Sequence, residues 1–231
     1  MKRFWTTVEL ESLDGGWGVN LDGRPVRTPA RERLVLPTPA LAEAVAAEWR
    51  DCGETIDPRA MPFTGLANAA IDRVAADPQR FADDLSAYAQ SDLLLYRADM
   101  PRALVARQAA AWDPLLDWAR QRFDVAFTPV TGIMPVSQPE ETIRRLSAAV
   151  ASLGPYQLAG LQPVVTIGGS LVAALALYEK AIAPDAAWDA VGLDVAWQAE
   201  QWGVDADAAA AEEGRREAFL SAAKFLELLR G

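Results

Sequence analysis

The sequence predicts an α+β fold: a small N-terminal antiparallel β meander with helices, followed by a larger all-helical domain. Residues 3–36 alternate apolar and polar side chains between glycine turns, whereas the chain from Thr38 onward has the apolar spacing of helices. Strands that precede helices, instead of alternating with them, indicate this class. The 231 residues are enough for two modest domains. We place an N-terminal β-containing module in residues 1–75 and a helical domain in residues 76–231.

Two tight turns define the predicted meander. Asp14-Gly15-Gly16 is typical of a hairpin turn, and the two-residue period on either side of it predicts the paired strands. Asp22-Gly23 predicts a second turn into a short strand, and Leu34-Val35-Leu36 predicts a fourth. The first 36 residues therefore form three or four antiparallel strands.

Capping residues and prolines mark the helices that follow. Thr38 has the side chain of an N-cap, and Pro39 suits the first helical position. Thr64 is predicted to cap the next helix. Pro114 must break or kink a long helix that begins after Pro101, because proline removes a backbone donor and clashes with the preceding turn. We expect a fresh helix to begin at Asp113-Pro114.

The second half of the chain is predicted to be helical except for one stretch. Ser137 and Glu140 have the spacing of a capping box. Residues 156–167 contain Pro163, and their conformation is left open. Residues 171–182 are apolar nearly all round, which predicts a buried central helix. Two further helices are predicted over residues 185–202 and 205–230.

Composition excludes several classes of enzyme. The chain contains no histidine and one cysteine, Cys52. These counts exclude Ser-His-Asp and Cys-His nucleophile systems, imidazole acid–base chemistry, an intrachain disulfide and most zinc or non-haem iron sites. We expect no enzymatic activity, no metal and no cofactor, and function through a binding surface becomes the favoured interpretation.

The net charge and the hydropathy of the chain limit the classes of partner that it is expected to bind. The net charge of −10 argues against nucleic acid and against anionic membrane surfaces. No apolar run approaches the ~20 residues that a membrane span needs. The N-terminal residues resemble neither a secretion signal nor an Arg/Ser-rich leader. We therefore expect a protein of a reducing interior compartment.

An acidic segment near the C-terminus is the most distinctive feature. The 34 residues between Lys180 and Arg215 contain no lysine or arginine but eight carboxylates. The carboxylates are Asp185, Asp189, Asp194, Glu200, Asp205, Asp207, Glu212 and Glu213. Residues 185–213, here called the acidic strip, also contain Trp188, Trp197 and Trp202. The strip either is a solvated helical face with capping acids or meets a basic partner surface, and the residues alone leave both readings open.

A carboxylate-dependent enzyme or a small-ligand-binding protein of the helical domain is the alternative function. It predicts a deep polar pocket with convergent carboxylates of shifted pKa. Ser221-Ala222-Ala223-Lys224 has the S-x-x-K spacing of acyl enzymes, but the companion motifs are absent from the sequence. A protein that binds another protein instead predicts an extended face and no such pocket.

Several sequence strings occur together and in order along nearly the whole chain. They are LDGRPVRTP (21–29), EW (48–49), MPFTGLANAAID (61–72), SDLLLYRA (91–98), WDPLLDWA (112–119), GSLVAALAL (169–177) and EQWGVDADA (200–208). In this combination the chain resembles the ATP-twelve family of ATP synthase assembly chaperones, which act on the α subunit of the catalytic head. The resemblance implies a chaperone that binds the unassembled α subunit and shields its β-facing surface until the head assembles.

The resemblance also implies site residues and a location. It carries over Glu200, Trp202 and Asp205 as partner-binding residues, to which we add Asp194 and Trp197 from the same strip. Structural support is expected from Trp49, Trp112 and Asp113. The implied protein is a bacterial cytoplasmic monomer, without nucleic acid or a membrane span, whose eukaryotic counterparts lie in the mitochondrial matrix.

Overall fold

A computed structural model describes residues 2–132 and 134–230, and the chain divides into two compact units. The first unit comprises Met1–Pro78, Gly154–Gly160 and Ser221–Gly231. The second unit comprises Gln79–Leu153 and Leu161–Leu220. Segments from the middle and the end of the chain thus belong with the N-terminal residues. The predicted class is confirmed: a small antiparallel strand region is followed by a mostly helical part.

The sheet of the first unit is arranged around its second strand. Its strands are β1 (Val8–Leu13), β2 (Gly16–Leu21), β3 (Arg24–Pro25) and β4 (Val35–Leu36). Strand β2 pairs antiparallel with each of the other three, so the predicted hairpin and the fourth strand are confirmed. A Cβ at Gly16 would lie 2.5 Å from the Leu36 carbonyl oxygen, which explains the need for glycine where β4 meets β2.

Two helices pack with this sheet. They are α1 (Pro39–Asp51) and α2 (Pro62–Ala69), and α2 continues into one π-helical turn. The Leu41 N–H donates to the Thr38 hydroxyl at 3.1 Å, which confirms the predicted N-cap. The predicted cap at Thr64 is wrong, because α2 begins two residues earlier, at Pro62. The carboxylate of Glu48 caps α2 instead, accepting from the Phe63 and Thr64 N–H groups at 2.7 and 2.8 Å.

One apolar core holds the first unit together. Strand, helix and C-terminal side chains contribute to it, including Trp5, Val19, Leu21, Leu34, Leu36, Leu41, Val45 and Phe225. Phe225 is fully buried and stacks on Tyr156 with ring centroids 6.4 Å apart. The last helix of the chain is therefore part of the core that the N-terminal strands build.

The remaining elements are mostly helices. They are α3 (Pro78–Ser86), α4 (Arg102–Phe123), α5 (Glu140–Ala151), α6 (Pro155–Gly168), α7 (Leu171–Tyr178), α8 (Pro184–Val191), α9 (Leu193–Trp202) and α10 (Ala206–Leu228). Two short strands, β5 (Tyr96–Arg97) and β6 (Val130–Thr131), pair in parallel. In the described part of the chain, no helix is both long enough and apolar enough to cross a membrane.

Pro114 does not end its helix, so the predicted break at this residue is wrong. Helix α4 runs unbroken from Arg102 to Phe123 with Pro114 inside it and exposed. Asp113 is likewise not a cap; its carboxylate forms an ion pair with Arg97 at 2.8 Å. The apolar residues on both sides of the proline, Trp112 and Leu115, are buried in one core, and this burial offsets the lost backbone hydrogen bond.

Other helix boundaries also differ between the prediction and the structure. The capping box at Ser137 is wrong, because α5 begins at Glu140 after Pro139 and has no side-chain cap. The stretch left open, residues 156–167, is helix α6 with Pro163 inside. The helix predicted over 185–202 is two helices, α8 and α9, separated at Gly192.

The core of the second unit forms around α7. Residues Leu171–Leu177 are all buried, which confirms the predicted central helix, although the helix ends at Tyr178, before the predicted end at residue 182. Asp92 is fully buried beside its first turn and accepts from the N–H groups of Leu94 and Val172 at 3.0 and 2.9 Å. Burial raises the pKa of Asp92 to about 6, while these N–H donors oppose the rise.

Candidate partner-binding surface

The acidic strip folds into α8, α9 and the first turns of α10. No residue of α9 is fully buried, and residues 206–211 at the start of α10 are all exposed. Helices of soluble domains normally bury one face. Helix α9 and the start of α10 therefore lack the fully buried face that such helices normally have.

The end of α9 and the link to α10 expose large apolar side chains of the strip. Trp202 is 78% exposed, and Val204 and Val195 are 53% and 47% exposed. Asp205 follows directly, and its carboxylate accepts from the Ala208 N–H at 2.9 Å in the first turn of α10. An exposed tryptophan flanked by carboxylates has the composition of a protein interface.

Glu200, by contrast, already has a cationic partner. Arg107 of α4 donates to both of its carboxylate oxygens at 2.8 Å, and these hydrogen bonds hold the pKa of Glu200 below its ordinary value. The guanidinium of Arg107 also lies over the ring of Trp197, 4.8 Å from its centroid. One arginine thus engages two of the predicted partner-binding residues.

Asp194 is bound to the same helix, α4. The side-chain amide of Gln108 donates to its carboxylate at 2.8 Å, and the amide oxygen of Gln108 accepts from the Ala98 N–H at 2.8 Å. Glu200, Trp197 and Asp194 are therefore held on α4, whereas Trp202 and Asp205 extend beyond this contact. Sequence reasoning missed Arg107 and Gln108, since the ion-pair partners are 93 positions apart and no local pattern links them.

Arginines from outside the strip neutralise part of its charge. Arg216 lies 2.8 Å from the Asp185 carboxylate and 3.6 Å from that of Glu213, and Arg215 lies 3.3 Å from that of Glu212. Within the described residues, Asp189, Asp205 and Asp207 have no ion-pair partner. Eight carboxylates and the three arginines Arg107, Arg215 and Arg216 leave a net charge of −5. The strip is therefore still acidic, although less so than its sequence suggests.

A groove of about 680 Å³ runs beside these helices. Small apolar residues from α9, α10 and the links before and after α9 line much of it, namely Gly192, Val195, Ala196, Ala199, Val204, Ala208, Ala209 and Ala211. Two large apolar residues, Trp188 of α8 and Leu193 of α9, complete the apolar lining. Charged lining residues are Arg107, Asp189, Glu212, Glu213 and Arg215. We call this feature the α9–α10 groove.

Of the predicted supporting residues, Trp112 is fully buried, Trp49 is half-buried and Asp113 is exposed. The Trp5 indole N–H donates to the Trp49 carbonyl at 3.1 Å, and the two rings lie 5.2 Å apart. The Trp112 indole N–H donates to the Ala190 carbonyl of α8 at 2.7 Å. Asp113 fixes Arg97, whose guanidinium lies 5.2 Å from the Trp112 ring centroid. All three therefore contact residues that are far away in sequence.

The structure offers little support for the alternative function, a carboxylate-dependent enzyme. Glu48 and Asp92 are carboxylates whose pKa is raised by burial. They lie in different units, and each accepts from backbone N–H groups at a helix start, which makes them caps. Among the described residues, no three His, Cys, Asp or Glu side chains are grouped to hold a metal ion.

Known proteins are similar to this chain over most of its length. The model of the family described as ATP12 chaperone protein matches residues 2–120. The mitochondrial protein atp12 of Schizosaccharomyces pombe is 24% identical over 219 residues, covering 90% of this chain and 75% of that protein.

Two solved bacterial structures are more similar. Atp12 of Paracoccus denitrificans is 43% identical with a TM-score of 0.94, covering 99% of this chain and 98% of that one. The Atu1473 protein of Agrobacterium tumefaciens is 40% identical with a TM-score of 0.94, covering 99% of this chain and 86% of that one. The family-model match and the similarity to these structures show that the chain belongs to the ATP12 family of chaperones, which serve ATP synthase assembly.

Proposed function

We propose that this chaperone binds the unassembled α subunit of the ATP synthase catalytic head. It shields the surface that α will later present to its β neighbour, and it leaves when β arrives. Apolar surface that is exposed before assembly aggregates, so a protein that covers it temporarily increases the yield of assembled heads.

The observation that supports this proposal is the exposed end of α9. Trp202, 78% exposed, stands beside the exposed Val204 and the carboxylate of Asp205. Tryptophan is enriched among the residues that dominate binding energy in protein interfaces. A surface that is acidic around an apolar centre suits a client whose matching surface is basic at its rim.

The electrostatics suit a temporary complex. Complementary charge speeds the encounter of two proteins more than it deepens their affinity. A chaperone needs this combination, because it must capture α quickly and still be displaced by β. The net negative charge of the strip provides the charge that would attract a basic surface of α.

Within the strip we assign two roles. Trp202 and Asp205 contact α directly, because neither is held on α4. Glu200, Trp197 and Asp194 contribute through the position of α9, which Arg107 and Gln108 fix. A cytoplasmic location and a monomeric state stay predictions.

Capture of purified, unassembled α subunit by immobilised chaperone tests the proposal. Trp202→Ala is expected to weaken capture about tenfold or more, the loss typical of a central interface tryptophan. Met134→Ala is the control, because Met134 is similarly exposed, at 75%, and lies outside the strip. Equal capture by wild type and Trp202→Ala would remove Trp202 from the site, and no capture by wild type would refute α as the client.

A further inference from the structure

We propose that the α9–α10 groove receives an amphipathic helix of the client protein, with small aliphatic side chains on one face and lysines or arginines beside them. This inference rests on the proposed function, since the helix would belong to the α subunit. It adds the place of binding and the kind of segment that is bound.

The shape of the groove fits a helix. Helix α9, one of its walls, has 10 residues and is therefore about 15 Å long, close to three helical turns. Ala196 and Ala199 on that wall face the groove, as do Ala208 and Ala211 on α10. Small side chains on two walls allow a third helix to approach closely, because the distance between packed helices depends on the side chains at the contact.

The chemistry of the lining favours a helix over an extended segment. Most of the walls are helices, whose interior backbone N–H and C=O groups pair within the helix. An extended strand in the groove would find few backbone partners there and would leave most of its own polar groups unpaired. A helix satisfies its own backbone and buries only side chains, as in other helix-in-groove complexes.

Charge selects the sequence of the bound helix. The groove is lined by three carboxylates, Asp189, Glu212 and Glu213, and by two arginines, Arg107 and Arg215. The carboxylates of Asp205 and Asp207 lie at the first turn of α10. With Arg107, Arg215 and Arg216 counted, the acidic strip retains a net charge of −5. A helix with flanking lysines or arginines complements this rim, whereas an acidic helix is repelled.

Helix α10 offers a second reason to expect a partner. The alanines at 206 and 208–211 are all exposed, although alanines on a surface helix usually include some that face a core. A helix laid in the groove covers the side of α10 that carries Ala208, Ala209 and Ala211. The opposite side, which carries Ala210, stays in solvent.

Neighbouring alanines of α10 provide a matched test. Ala211→Phe places a bulky side chain in the groove, and Ala210→Phe makes the same change on the outer side of the same helix. Both residues are exposed, so both variants should fold, which circular dichroism verifies. Capture of purified α is expected to fall about tenfold or more with Ala211→Phe and to stay within about twofold of wild type with Ala210→Phe. Equal capture by the two variants would overturn the groove as the binding site and leave α binding in place.

Designed peptides test the groove without the α subunit. The probe is a fluorescent stapled helix with alanine and leucine on one face and lysine elsewhere. It is compared with a version in which glutamate replaces lysine, and with a lysine version interrupted by two prolines. Fluorescence anisotropy should detect binding of the uninterrupted lysine helix only. This binding should be weaker in high salt, and weaker to the Ala211→Phe variant than to wild type. Binding of the glutamate or proline peptides as tightly as the lysine helix would overturn the inference.

A charge variant separates the two proposals. Glu213→Lys should weaken the lysine helix about tenfold, whereas Asp84→Lys, an exposed reversal on α3, should not. If the lysine helix binds in this manner but α is not captured, the proposed client is wrong and the preference of the groove stands. If α is captured but neither Ala211→Phe nor Glu213→Lys weakens its capture, the client is right and the groove inference fails.

Discussion

At the scale of single residues, Arg107 decides how part of the acidic strip is presented. It pairs with Glu200 and stacks on Trp197. Arg107→Ala is expected to leave global unfolding nearly unchanged, because both partners are partly solvated. The amide hydrogens of α9 should exchange faster, since a contact between α4 and α9 is lost, and hydrogen exchange with mass spectrometry measures this.

Acidification should reproduce the effect of this substitution in the wild type. The pKa of Glu200 is lowered in the folded protein, so the stabilisation from its ion pair is present above the unfolded pKa and is lost as the pH falls through the folded pKa. Arg107→Lys keeps the charge but not the planar stacking group and should show an intermediate exchange rate in α9. Unchanged α9 exchange in Arg107→Ala would contradict the role given to this arginine.

Asp92 contributes to the free energy of unfolding with a pH dependence opposite to that of Glu200. Its pKa is raised from 3.8 to about 6 in the folded state, so its contribution to stability is greatest below the unfolded pKa and is lost as the pH rises through about 6. The loss amounts to roughly 3 kcal/mol for a shift of two pKa units. The free energy of unfolding of Asp92→Asn minus that of wild type should therefore rise across this interval in urea titrations. A difference that stays flat with pH would show that Asp92 is not the titrating group.

At the scale of elements, α4 shows how packing overrides a local breaker. Pro114 is exposed inside a continuous helix, and it removes the N–H that would pair with the carbonyl of Ala110. Pro114→Ala is expected to raise the free energy of unfolding by roughly 1–3 kcal/mol, towards the lower end because proline also restricts the unfolded chain. Pro39→Ala is the control, since Pro39 lies at a helix start where no such bond is regained. A destabilised Pro114→Ala protein would contradict this explanation.

Helix α10 combines a buried half with an exposed half. Residues 206–211 are exposed, whereas Phe219, Phe225 and Leu226 are buried, so the first half should exchange its amide hydrogens faster. Gly214 lies between the halves, and a Cβ there meets nothing within 4 Å. Gly214→Ala should therefore stabilise the helix by about 1 kcal/mol and slow exchange in residues 206–213. Unaltered exchange would mean that glycine does not limit the order of this segment.

At the scale of the whole molecule, the ends of the chain meet in one core. Phe225 is fully buried with Trp5, Leu34 and Leu36 in the first unit. Phe225→Ala is expected to lower the free energy of unfolding by about 3–5 kcal/mol, with loss of the near-ultraviolet circular dichroism that the packed aromatic residues produce. Phe4→Ala, at an exposed position, is the control and should cost far less. A small effect of Phe225→Ala would show that the C-terminal helix is not needed by the N-terminal strands.

The sequence by itself determined the features that short-range forces set. The hairpin between β1 and β2 follows from two glycines and a two-residue period, and the start of α1 follows from one threonine hydroxyl. The burial of α7 follows from an apolar surface on every side. The strings shared with the chaperone family were also readable in order along the chain. These signals lie within a few residues of the structure that they specify, and neighbours in sequence are always neighbours in space.

Tertiary structure alone decided the features that join distant residues. The α9–α10 groove, the pairing of Arg107 with Glu200, the cap that Glu48 places on α2 and the entry of Phe225 into the first core have no local signature. The continuation of α4 through Pro114 depends on burial on both sides of the proline. In each case the free energy comes from side chains brought together by packing, and a linear pattern does not record which distant surfaces will meet.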